Sequence, residues 1–198
     1  MIRIRFPIRV ARSTSVGWDI TKSLIQSALL WGVFLFLVPW LIATGERSLG
    51  WPEIPLAAEW GWVIGAVLFL VASSLGISSM MFMAVRGAGT PLPLDTAAKL
   101  VTDGPYAYVR NPMAIGGICQ ALGVGVWLGS PLAVLYALSG ALVWNTVLRP
   151  GEEADLAARF EARYEAYRLA VRCWIPRLSP YRESGGSPGA KPQRTTRG

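Results

Sequence analysis

The chain has 198 residues, of which 53% are apolar and only 16% charged, with nine tryptophans, no histidine and a net charge of +7. That composition excludes an ordinary soluble globular protein, and the length suits one domain rather than two. Without histidine there is no usual zinc ligand, no usual general base and no Ser-His triad, so metal and haem chemistry are not expected.

Residues 1–22 form a basic arm carrying Arg3, Arg5, Arg9, Arg12 and Lys22. Ile2, Ile4, Phe6 and Ile8 alternate with arginines there but are too few to place the arm on a membrane surface. Beyond the arm, no charge occurs between Lys22 and Glu46, between Glu59 and Arg86, or between Arg110 and Arg149. A hydrocarbon core about 30 Å thick takes roughly 20 helical residues to cross. The first two gaps each fit one helix, and the third fits two with a break at Gly129-Ser130-Pro131. The expected transmembrane helices are therefore 23–43, 60–85, 112–128 and 131–148. Helices satisfy their own backbone hydrogen bonds where lipid cannot, so the expected fold class is an all-α membrane protein. The first apolar run is too long for a signal-peptide core, and no cleaved leader is expected.

Orientation follows from Lys and Arg. The arm, the 86–110 loop (Arg86, Lys99, Arg110) and the segment after the fourth helix, with ten more, are basic. The first interhelical loop has Arg47 beside Glu46, Glu53 and Glu59. Both termini and the 86–110 loop are thus expected in the cytoplasm, as four crossings require. The net charge then reports topology and attraction to anionic headgroups, and no nucleic-acid partner is expected. Cys119 and Cys173 make no disulfide framework.

Trp40, Trp51, Trp60 and Trp62 gather at the outer helix ends, where indoles favour headgroups. Gly117, Ala121, Gly125 and Gly129 recur at four-residue spacing, a seam for close helix packing, with the fourth helix as expected partner. Pro150-Gly151 is expected to break the chain. Residues 152–169 then read as an amphipathic helix on the cytoplasmic surface, with Leu156, Phe160, Tyr164 and Tyr167 on one face and Asp155–Arg159 as an i,i+4 pair. Residues 183–198 are expected to be disordered, leaving 23–182 as the membrane domain.

Two places could carry chemistry. The 86–110 loop has Gly87, Gly89, Pro91, Pro93, Gly104 and Pro105, which give defined turns and little helix. Tyr106 and Tyr108 precede Arg110-Asn111-Pro112, which by itself also reads as a snorkelling arginine followed by proline in a first helical turn. Glu152-Glu153 suits a helix start, worth about 0.3–1 kcal/mol. Paired carboxylates beside a membrane equally suit a cationic or hydroxyl-rich ligand.

The run from Lys99 through Arg110-Asn111-Pro112-Met113, then a hairpin, Glu152-Glu153, Phe160-x-x-x-Tyr164-x-x-Tyr167 and Trp174-Ile175-Pro176-Arg177, resembles the isoprenylcysteine carboxyl methyltransferase and phospholipid methyltransferase superfamily. The resemblance covers roughly residues 87–181. It implies an integral membrane enzyme using S-adenosylmethionine, with a lipophilic or small carboxylate, amine or thiol as methyl acceptor. It also implies a cofactor site formed by Lys99, Leu100, Val101, Tyr106, Asn111, Pro112, Met113, Ala114, Gly116, Glu152 and Glu153. Arg110, Arg149 and Glu153 are the candidate catalytic residues, the arginines to hold an anionic acceptor. Asn111 stands where the family more often has histidine and cannot titrate, and Ala114 stands where tyrosine is usual, removing one contact. Methyl transfer from a sulfonium is an in-line displacement that needs alignment more than acid–base groups. No Gly-x-Gly-x-x-Gly follows a strand, which argues against a soluble Rossmann-type methyltransferase. Two other readings remain: a sterol-reductase-like enzyme using NADPH, and a non-catalytic membrane subunit that keeps the fold. A bacterial inner membrane is the expected location, and the oligomeric state is open.

Overall fold

The computed structural model describes residues 32–55, 57–87 and 99–183, together with Gly17, Thr21, Ile25, Ala28 and Leu29. The rest of the basic arm, most of the first expected helix before Gly32, loop residues 88–98 and the tail beyond Glu183 lie outside the described residues. Among the described residues every regular element is helical. A π-helical turn, Gly32–Leu37, leads into α1, Val38–Ser48. Another, Ala57–Gly61, leads into α2, Trp62–Gly87. A 3₁₀ turn, Gly104–Ala107, precedes α3, Pro112–Trp127. Then come α4, Pro131–Val143, a π turn, Trp144–Leu148, and α5, Arg149–Ala170.

The first helix runs past its expected end at Ala43 to Ser48, and Gly50 at φ +69° follows it. The break at Gly129-Ser130-Pro131 forms as expected. Gly129 takes φ +66°, the Ser130 hydroxyl accepts from the Ala133 N–H as an N-cap, and Pro131 starts α4. The break expected at Pro150-Gly151 does not form there, because the helical path from Pro131 runs through both residues and is interrupted only at Glu161. Proline removes an i−4 hydrogen bond and crowds the preceding turn. Here that turn is a wider π turn closed by the Arg149 N–H on the Trp144 carbonyl, which accommodates Pro150 without ending the helix. The irregularity lies later, at Glu161 with φ 42°.

Two helices are long and apolar enough to cross a membrane, Glu59–Gly87 and Pro131–Ala170, while Pro112–Trp127 is apolar but shorter. The second has 40 residues, more than the roughly 20 that one crossing takes, and it kinks at Glu161. Its apolar half ends at Leu148, and its charged half is α5. Both long helices keep most of their apolar surface outside the protein interior, with Val67, Leu70, Val71, Leu135, Leu138 and Leu142 exposed. Water would not tolerate that band; lipid does.

The most extensive helix pair is α2 with α3. A Cβ on Gly65 would stand 2.5 Å from the Gly123 carbonyl oxygen, and one on Gly116 would stand 3.1 Å from the Ala72 carbonyl oxygen. Gln120 donates to Ser73 Oγ across this seam at 2.8 Å. The small residues of α3 thus serve two partners. Gly116 and Gly123 meet α2, whereas Ala121 clusters with Ala137 and Gly125 lies against Ala133 and Val134 of α4. A Cβ on Gly117 would meet nothing. Packing seams need alternate faces when a helix sits between two neighbours, and α3 has one on each side.

Candidate functional site

The 3₁₀ turn is held against the end of α2 by Gly104. Its φ of +57° suits glycine, and a Cβ there would strike the Phe82 ring. The loop neck is closed by the Lys99 N–H, which donates to the Gly87 carbonyl. Behind the turn, Leu100, Tyr164, Tyr167 and Val171 form a buried cluster to which Leu156, Phe160 and Tyr181 add. The apolar face expected on the amphipathic helix therefore covers the loop, and Tyr167 donates its hydroxyl proton to the Tyr106 carbonyl at 2.7 Å. The Asp155–Arg159 pair forms at 3.1 Å.

A strap after α5 completes the wall. Arg110 N–H donates to the Arg172 carbonyl, Arg177 N–H to the Tyr108 carbonyl, and Tyr181 N–H to the Ala107 carbonyl. The Trp174 indole donates to Asn145 Oδ1 at 2.9 Å, tying the strap to the π turn.

These elements bring four charged side chains together. Arg110 Nη1 lies 2.8 Å from Glu153 Oε1 and donates to the Tyr164 hydroxyl at 3.3 Å, while Arg149 Nη1 reaches the same Glu153 oxygen at 3.3 Å. The Arg110 and Glu153 side chains are 13% and 21% exposed. Arg110 Nε is buried with no hydrogen-bond partner. Both arginines serve Glu153, and Glu152 has no hydrogen bond or ion pair among the described residues. Burial first, then the Glu153 carboxylate, push the Glu152 carboxyl up to about 7. Burial, with Tyr167 and Glu152 adding, pushes the neighbouring Tyr106 phenol far above its usual range. Burial also raises the Cys173 thiol, against the pull of Arg110.

The other sequence-predicted site residues fall into three places. Lys99, Leu100 and Val101 line an open cavity of about 450 Å³ with Val85, Arg86, Asp103, Phe160 and Arg163. Leu100 and Val101 turn largely into the core, whereas Lys99 is exposed. Asn111 caps α3, its Oδ1 accepting from the Ala114 N–H at 3.4 Å, with Pro112 buried in the first turn and Met113 and Ala114 half-buried beside it. Gly116 lies in the α2 seam, away from the charges. Sequence reasoning gave no site role to Tyr164, Asn145, Trp174, Phe160 or Arg163. The spacing Phe160-x-x-x-Tyr164-x-x-Tyr167 was the available signal for the first and fourth. Nothing local marks Asn145. Among the described residues, no cluster of three or more His, Cys, Asp or Glu side chains could hold a metal ion.

The family described as phospholipid methyltransferase matches residues 60–163, more than half of the chain, including all four charged residues of the cluster but not the strap. The chain belongs to that family. It is thus a member of a family of integral membrane methyltransferases. It is similar to the protein-S-isoprenylcysteine O-methyltransferase of Schizosaccharomyces pombe, 40% identical over 79 residues, which cover 39% of this chain and 33% of that protein. It is also similar to the cobalt-zinc-cadmium resistance protein CzcN of Cupriavidus metallidurans, 34% identical over 84 residues, which cover 42% of this chain and 38% of that protein. The chain therefore matches between a third and two fifths of the length of these curated relatives. No solved structure matches it.

Proposed function

We propose that the protein is an S-adenosylmethionine-dependent methyltransferase working where the helix bundle meets the cytoplasm, with four crossings and both termini on that side. The observation that carries this reading is the asymmetric carboxylate pair. Glu153 is neutralised by Arg110 and Arg149, while Glu152 is half-buried, unpaired and held near neutrality. A cationic ligand is what such a site lacks, and a methionyl ammonium supplies it. Residues Lys99 to Val101, with Arg86, Asp103, Phe160 and Arg163, offer a largely polar cavity with one aromatic ring and one carboxylate for the nucleoside part. Bound there, S-adenosylmethionine supplies a methyl group activated on a sulfonium.

The chain's own residues then position and select. Arg110, with Nε unpartnered, and Arg149 orient an anionic or electron-rich acceptor, and Glu153 keeps both guanidinium groups in place. Asn111 is engaged as a helix cap and takes no part in proton transfer. A carboxylate, thiolate or free amine needs none. The acceptor is lipophilic or small, reaching the cluster from the lipid side of the bundle. Thermal unfolding of the detergent-solubilised protein with S-adenosylmethionine, S-adenosylhomocysteine or NADPH tests this, since a ligand of the native state raises apparent stability. Stabilisation by both adenosyl ligands, lost in Glu152→Gln/Glu153→Gln, is expected. Stabilisation by NADPH alone would favour a reductase, and none by any ligand at millimolar concentration would contradict the methyltransferase reading.

A further inference from the structure

The strap that walls the site also presents an unpartnered surface. Ile175 is 58% exposed, Leu178 fully exposed and Leu169, just before it, 79% exposed. They cannot retract, because the strap backbone is fastened to residues 107–110 by three hydrogen bonds and its opposite side is occupied by Tyr181 against Tyr167. Between 171 and 182 the chain has Arg172, Arg177 and Arg182 and no carboxylate. Of these, Arg172 and Arg182 are exposed.

Its height relative to the bilayer follows from one bond. Trp174 donates to Asn145, which lies within the apolar run one turn before Arg149. At about 1.5 Å per residue, the Trp174 indole therefore reaches roughly 6 Å below the first charge of α5. Ile175 follows that indole directly and Leu178 three residues later, and the exposed band of Leu142, Val143 and Val147 flanks Asn145 on its helix. Exposed aliphatic side chains, an indole and unopposed arginines at that depth match the chemistry of an acidic headgroup layer.

The geometry points to the strap as an interfacial anchor that seats Ile175 and Leu178 in an anionic lipid leaflet, with Arg172 and Arg182 on the headgroup phosphates. The wall of the charged cluster is thereby fixed at the membrane surface. This inference rests on the helix crossing a bilayer and not on the identity of the methyl donor, so the two can fail separately.

The test places the photo-crosslinker p-benzoylphenylalanine at Leu178, at Ile175, at Leu142 in the apolar helix and at Ala162 on the exposed side of α5, each in the full chain. The variants are reconstituted in nanodiscs of phosphatidylcholine, alone or mixed with phosphatidylglycerol, and adducts are read by mass spectrometry. Leu178 and Ile175 should give lipid adducts as Leu142 does, with Ala162 giving at least tenfold fewer. In mixed discs, phosphatidylglycerol should exceed its mole share at position 178, and Arg172→Gln/Arg182→Gln should return it to that share. Lipid adducts at Leu142 but none at Leu178 and Ile175 would overturn the anchor. Adducts at 178 that match the mole share in the unsubstituted protein would overturn its preference for anionic lipid.

Discussion

One carboxylate lies at the start of the helical path that begins at Pro131 and another just past its apolar half, and they are treated differently. Glu46, 6% exposed, accepts from the Ser130 hydroxyl and, at 2.9 Å, from the Leu132 N–H, so it crosses over from α1 to close the start of α4. Its neighbour Arg47 bonds the Leu128 carbonyl at 2.8 Å. Just past Leu148, Glu152 is given no donor, and its partner Glu153 takes both nearby arginines. A buried carboxylate with donors on both oxygens is a structural joint. One left without donors, in a place that pushes its carboxyl to about 7, is open to a ligand.

That contrast can be broken from either end. The largest effect is expected for Glu153→Gln, which leaves Arg110 and Arg149 half-buried without a counter-charge. Stability should fall by about 2 kcal/mol, less than the ~3–5 kcal/mol of a fully buried pair, and donor binding should be lost, both seen in thermal unfolding with and without S-adenosylmethionine. Glu46→Ala should cost about 2 kcal/mol by stranding the Ser130 and Leu132 donors, yet leave the dissociation constant for S-adenosylmethionine within about twofold. Glu152→Gln should do the reverse. It should weaken donor binding at least tenfold, or about 1.4 kcal/mol, while leaving stability unchanged or slightly higher, because an unpaired acid is removed. Asn111→Ala, which deletes the cap of α3, should cost about 1 kcal/mol of stability with little change in affinity.

Much of the scaffold was legible because charge placement in a membrane protein is nearly a map. The ends of α2 and the α3–α4 turn follow from Arg86 and from Gly129-Ser130-Pro131, and the covering face of α5 follows from helical spacing. What was not legible depends on partners distant in the chain. Pro150-Gly151 reads as a break unless the π turn upstream is known. Gly117 was as good a seam residue as Gly116 until α2 took its place beside α3. In the site, the Glu pair and both arginines were visible as residue types. Which glutamate the arginines would choose was not, since that depends on where the strap holds Arg110. Glu46 gave no sign of its role, because Ser130 is 84 residues away.

In the proposed reaction, Glu152 receives the cation of the methyl donor. Its carboxyl is raised above the ordinary value of 4.5, so between about 4.5 and 7 the native protein retains a proton that the unfolded chain releases. The unliganded protein therefore loses stability as pH rises through that window. A cation bound against the carboxylate must expel that proton, so affinity should rise by up to tenfold per unit towards pH 7 and then level off. Calorimetric titration of S-adenosylmethionine at a pH just below 7, in buffers of different ionisation enthalpy, counts the proton directly. Release of roughly half a proton from the wild type and none from Glu152→Gln is expected. Binding without proton release, or with the same release in both proteins, would contradict it.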